Sequence, residues 1–111
     1  MSGSKLFLDT NIILYLLNGD KTLVNLLQNQ TIYISFITEL ELLSYAGITL
    51  KEQQIIKEFI ESSIVVDIDD RIKKEVIRLK KKYKLKLPDA IIIASAIYFN
   101  LPLISADSQF K

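Results

Sequence analysis

The feature that most limits how this chain can fold is the alternation of short, continuously apolar runs with longer stretches whose apolar residues recur at helical spacing. A run such as Leu6-Phe7-Leu8 or Leu103-Ile104 is apolar on both faces of a strand. Strands buried on both faces belong to parallel sheets covered by helices. The pattern predicts strands at Lys5–Leu8, Thr31–Ser35, Ser63–Asp67 and Pro102–Ser105. Helices are expected near Asn11–Leu17, Lys21–Gln28, Ile37–Ala46, Lys51–Glu61, Asp70–Tyr83 and Pro88–Phe99. That order is the order of a parallel α/β sheet.

Punctuation agrees with these breaks. Asn18-Gly19-Asp20 is a turn cluster, Gly47 follows a helical stretch where a left-handed cap belongs, and Pro88 and Pro102 open segments where a missing N–H costs least. Neither a repeat nor a linker interrupts the chain, so one compact domain over residues 1–111 is expected.

Composition removes whole classes of chemistry. With no cysteine and no histidine, the chain has no disulfide, thiolate metal site, cysteine nucleophile or imidazole base. Carboxylate, lysine and hydroxyl chemistry remain. A metal held by such side chains has oxygen ligands, which favours magnesium or manganese. The start, Met1-Ser2-Gly3-Ser4-Lys5, lacks the apolar region of a secretory signal, and the longest apolar stretch, around Ala90 to Ile97, is too short to span a bilayer. A cytoplasmic protein without membrane contact is expected.

The 14 basic and 13 acidic residues nearly cancel, but nine of the basic ones fall between Arg71 and Lys86. Two readings stand side by side: a solvated helix face over a buried stripe of Ile72, Val76 and Leu79, or a surface for phosphates, to which Arg78, Lys80, Lys82, Lys84 and Lys86 contribute.

Four acids stand out by position. Asp9 ends the first strand, and Asp107 follows the last; carboxyl ends of strands are where open α/β sheets place their ligand crevice. Asp89 opens a helix apolar on almost every side. Each of these three, taken alone, is also accounted for as an acid favoured at a helix start. Glu41 is not, because it lies within a helix. Counting 100° per residue places it about 40° from Ile37, so Glu41 and Ser44 are expected on the inner face and Glu39 in solvent. A carboxylate on an inner face needs a partner, either a lysine or a shared divalent cation.

Together these segments resemble the PIN-domain ribonucleases, and among them the VapC-like toxins of bacterial toxin–antitoxin pairs. Leu6-Phe7-Leu8-Asp9-Thr10-Asn11 is similar to the opening strand with its first acid, and Ile34-Ser35-Phe36-Ile37-Thr38-Glu39-Leu40-Glu41-Leu42 to the segment with the second. Leu87-Pro88-Asp89-Ala90 resembles the third motif, and Leu103-Ile104-Ser105-Ala106-Asp107-Ser108-Gln109-Phe110 the fourth. The resemblance implies a Rossmann-like three-layer sandwich with a central parallel sheet of four strands. One departure stands beside it: family members commonly continue beyond the fourth motif into a further edge strand, whereas this sequence stops at Lys111, so a sheet lacking that strand is the expectation. The resemblance also implies an acidic pocket holding Mg²⁺ or Mn²⁺ and hydrolysis of RNA phosphodiester bonds. On the same basis Asp9, Glu41, Asp89 and Asp107 are metal-binding and catalytic acids, Asn11 orients a ligand or water, and Ser105 is a supporting hydroxyl. An antitoxin partner and a homodimer are implied as well.

Rival readings fare worse. A phosphoaspartyl hydrolase wants Asp-x-Asp where this chain has Asp9-Thr10-Asn11, and with three glycines the chain has no phosphate-cradling loop for a dinucleotide. A receiver domain needs an acid pair and a lysine in an arrangement that is not evident. The alternative from another class is a non-catalytic module that binds protein or RNA with the same surfaces.

Overall fold

A computed structural model describes residues 4–19 and 21–105 of the chain. The element order is β1 (Lys5–Leu8), α1 (Thr10–Leu17), α2 (Lys21–Leu27), β2 (Thr31–Ser35), α3 (Phe36–Leu43), α4 (Leu50–Glu61), β3 (Ile64–Val66), α5 (Asp70–Lys82), α6 (Leu87–Tyr98) and β4 (Leu103–Ile104). The strands form one parallel sheet in the order β3-β2-β1-β4. Residue pairs such as Phe7 with Tyr33, Phe7 with Leu103 and Ser35 with Val66 set its register.

Alternation along the strands sends side chains into two separate cores. Phe7, Tyr33, Val66 and Leu103 join the core beneath α5 and α6, where Ile72, Val76, Leu79 and Ile92 are buried. Leu6, Leu8, Ile32, Ile34, Val65 and Ile104 face the other way, onto Ile13, Leu42 and Ile56 of α1, α3 and α4. The sheet is therefore the middle layer of a three-layer sandwich, which is why its strands read as continuous apolar runs.

The expected elements all occur, with shorter ends in several places. The strand expected over Ser63–Asp67 is Ile64–Val66, and the one over Pro102–Ser105 is Leu103–Ile104. The third helix stops at Leu43 with Ser44 as its cap, well before the expected Ala46. Gly47 does adopt a positive φ of 77°, but in the following loop and not as that helix's cap. Gly19, at φ 90°, directly follows the α1 cap Asn18. Asp20 of that turn lies outside the described residues.

The inner face of α3 also differs from expectation. Thr38 and Leu42, one turn apart, are its buried residues, whereas Glu41 and Ser44 are exposed and Glu39 is half-buried. The helix is turned so that its buried line runs through Thr38 and Leu42, and Glu41 and Glu39 flank that line at about 80° on either side. Ile37 is a poor reference for the inner face because it packs toward the opposite core.

Leu42 is 1% exposed and anchors α3 to the sheet. Leu42→Ala should destabilise the fold by about 2–5 kcal/mol through reduced burial and a residual cavity. Chemical denaturation should show a lowered midpoint with an unchanged slope.

Candidate active site

The winding of the sheet decides where a site can form. From β1 the chain moves to β2 and β3 on one side, then returns through α5 and α6 to β4 on the other side of β1. The connection reverses between β1 and β4, and the carboxyl ends of strands at such a reversal leave a crevice. Asp9 and Ser105 are the residues that follow these two strands.

Asp9 is 4% exposed. Its Oδ1 accepts the Ile12 N–H at 2.9 Å and caps α1, so this acid does serve as a helix cap. Its Oδ2 accepts the Ser105 hydroxyl, a bond that ties the ends of β1 and β4 together across the reversal point. Both oxygens are thus fixed by neutral donors.

Helix α3 begins at the end of β2 and touches both α1 and α6. That placement brings Glu41 to the same opening, where its Oε1 accepts the Thr10 hydroxyl at 2.6 Å. The exposed Glu41 is therefore held at the site by a residue of α1 and not by burial. Asp89 lies in the first turn of α6, whose cap position, Lys86, contributes no side-chain bond. Asp89 is half-buried in the lining of the cavity, while Ala90 beside it is fully buried.

Asp9, Thr10, Asn11, Glu41, Tyr45, Asp89 and Ile92 line one cavity of about 140 Å³. Three of the four expected acids and Asn11 share it, and Ser105 reaches it through Asp9. Asp107 lies outside the described residues. Sequence reasoning misses Thr10, Thr38 and Tyr45. Thr10 stands in plain view between Asp9 and Asn11, while Tyr45 has no pattern to reveal it when its segment is read as helix.

The donor set suits a hard divalent cation. Every polar side-chain atom lining the cavity in the described residues is a carboxylate, hydroxyl or amide atom, and no Lys or Arg is among the lining residues. A carboxylate as buried as that of Asp9 calls for positive charge nearby. Among the described residues, however, no three acidic side chains stand close enough to form a ready-made metal-binding group. The fit is one of ligand chemistry around a shared cavity, not of a closed coordination shell.

The model of the PIN domain family matches residues 6–111. The chain belongs to the PIN-domain family. Solved structures agree on the fold of this PIN domain. A toxin–antitoxin complex from Klebsiella pneumoniae is 30% identical, with a TM-score of 0.82 over 94% of this chain and 88% of that one. VapBC-1 from nontypeable Haemophilus influenzae is 26% identical, with a TM-score of 0.76 over 95% and 88% of the two chains. VapBC2 from Rickettsia felis, solved with a DNA fragment from its promoter, is 24% identical and matches in fold, with a TM-score of 0.83 over 96% and 90%. Among curated protein sequences nothing matches. The resemblance to VapC-like PIN domains and the parallel α/β sheet it implies are both borne out.

Basic residues of the Arg71–Lys86 segment are partly engaged within the protein. Arg78 is paired with Glu75, which raises its pKa through the hydrogen bond and the neighbouring charge. Lys80 Nζ donates to the Leu85 carbonyl at 2.6 Å and closes the α5–α6 turn. Lys82 lies 5.7 Å from the centre of the Tyr83 ring. Ile72, Val76 and Leu79 form the expected buried stripe, so the solvated-face reading accounts for the helix itself.

Because Asp9 is buried in a cavity without basic lining, its charge serves the fold poorly. Asn at this position keeps an oxygen to cap α1. In metal-free buffer Asp9→Asn should melt at or above the parent temperature, whereas Asp9→Ala should lose about 0.5–2 kcal/mol with the cap. Differential scanning calorimetry distinguishes the two, and a fall of several degrees for Asp9→Asn would contradict this view of the charge.

Proposed function

We propose that this PIN domain is a metal-dependent endoribonuclease that hydrolyses RNA phosphodiester bonds and acts as the toxin of a toxin–antitoxin pair. The observation that carries the reading is the gathering of Asp9, Glu41 and Asp89, from three different elements, around one cavity at the carboxyl ends of parallel strands. PIN domains of VapC systems are generally ribonucleases, and PIN domains generally use divalent metal ions.

In this reading Asp9, Glu41, Asp89 and Asp107 hold Mg²⁺ or Mn²⁺. A bound divalent ion lowers the pKa of water and offsets charge developing on the phosphate. The chain's own residues do the rest. Asp89 accepts the proton of the attacking water, Asn11 orients that water or a phosphate oxygen, and Ser105 keeps the Asp9 carboxylate in place. Lys84 and Lys86 lead directly into the helix that carries Asp89, and with Arg78, Lys80 and Lys82 they are proposed as phosphate contacts for RNA.

The likeness to complexes described as toxin–antitoxin and VapBC supports a cognate antitoxin as partner. A homodimer and a cytoplasmic location complete the proposal. No helix of the described residues is long and apolar enough to cross a membrane.

Purified protein should cut an end-labelled RNA pool with Mg²⁺ or Mn²⁺, fall silent in EDTA, and lose activity in Asp9→Asn and Asp89→Asn without loss of fold. Metal-independent cutting, or equal cutting by the variants, would refute the assignment of these acids. Absence of cutting by folded protein would favour the non-catalytic binding module instead.

The basic segment yields a second expectation. Replacing Lys84 and Lys86 by Gln should weaken RNA binding and reduce the slope of log affinity against log salt by about 0.7 for each phosphate that is no longer neutralised. Filter binding in EDTA measures this apart from cleavage; an unchanged slope would assign these lysines to solvent alone.

A further inference from the structure

Two hydroxyls stand behind Glu41. Thr10 Oγ1 lies 2.6 Å from Glu41 Oε1 and 3.1 Å from Thr38 Oγ1. A threonine hydroxyl has one proton, and a carboxylate has none to give. Thr10 therefore donates to Glu41, and its oxygen accepts from Thr38. The direction of the whole chain, Thr38 to Thr10 to Glu41, follows from that count.

The two threonines are not equivalent. Thr38 is fully buried on α3. Thr10 is the first residue of α1 and lines the acid cavity. Glu41 is exposed and carries a long, flexible side chain, so nothing in its own packing selects the rotamer that faces the cavity. Both threonines are β-branched and stiff at χ1, and one of them is locked in the interior. A rigid pair of hydroxyls thus holds a mobile carboxylate, through one oxygen, and leaves its other oxygen as an acceptor.

We infer that Thr10, backed by Thr38, is a positioning residue that presets Glu41 for a divalent cation, coupling the acid on α3 to the acid at the end of β1. The inference rests on the metal-dependent reading above. Hydrogen bonds that orient a ligating carboxylate commonly contribute tenfold or more in metal affinity. Ser in place of Thr10 retains the donor; Val retains the shape and removes it.

The test is direct binding of Mn²⁺ to the whole chain without RNA, followed by electron paramagnetic resonance. Thr10→Val should weaken binding about ten- to a hundredfold, Thr10→Ser should stay near the parent, and Thr38→Val should shift in the same direction as Thr10→Val by a smaller factor. In RNA cleavage, the Thr10→Val defect should be recovered by raising Mn²⁺, with the rate at saturation little changed. A general packing defect would not be rescued by Ser or by metal. If Thr10→Val binds Mn²⁺ like the parent while Glu41→Gln loses it, the inference fails and the nuclease reading stands. If Asp9→Asn and Glu41→Gln also bind like the parent, the metal-dependent reading fails with it.

Discussion

The buried carboxylate of Asp9 is the constraint on which the rest of the arrangement depends. It follows the first strand, caps the first helix through the Ile12 N–H, and accepts from Ser105 at the end of the neighbouring strand. One side chain thereby fixes the entry of α1 and the junction of β1 with β4. Its location is not an accident of capping. A cap needs only one oxygen, and a surface helix start would supply it without burial; here the carboxylate is placed inside, at the point where the winding of the sheet reverses.

The two cores explain how such a charge can be carried. Continuous apolar strands clamp the sheet between α5 and α6 on one face and α1, α3 and α4 on the other. Burial of this kind is non-directional and cumulative, at about 25 cal/mol for each Å² removed from water, so it can offset a poorly solvated group at the sheet's end. The opening survives because the elements that meet there bring polar side chains: Asp9 and Thr10 from the β1–α1 junction, Glu41 from α3, Asp89 from α6.

Strands and helices are legible in the sequence because both patterns are local. Leu6-Phe7-Leu8 can only be comfortable with a helix layer on each side, and the Ile72, Val76, Leu79 stripe can only face one way. Asp9 and Asp89 can be placed from their positions at element ends. Glu41 does share the cavity, yet not for the reason its periodicity suggests. A helical wheel locates it on an inner face, but α3 sits at the end of the sheet and contacts both helical layers, so its orientation answers to tertiary packing that the wheel does not contain. Thr10 escapes a sequence reading because its role exists only across a separation of 31 residues, in the bond to Glu41. Tyr45 escapes it because it follows the true end of α3, and the end of a short helix is among the least legible features of a sequence.

Consecutive residues of one turn end up serving different acids. Asp9 points into the sheet junction and is fixed by backbone and Ser105; Thr10 points to α3 and fixes Glu41. This division follows from geometry at a strand-to-helix transition. The strand's alternation sends neighbours to opposite sides, and the helix that starts there turns the next residue by about 100°. A motif of three residues, Asp9-Thr10-Asn11, can therefore reach in three directions from one point, supplying an acid, a tether for a second acid and an amide to the same cavity. The compactness of that motif is what lets a chain without histidine or cysteine assemble a polar site from elements far apart in sequence. It also makes the junction of β1 with α1, with Asp9 at its head, the structural root of the site.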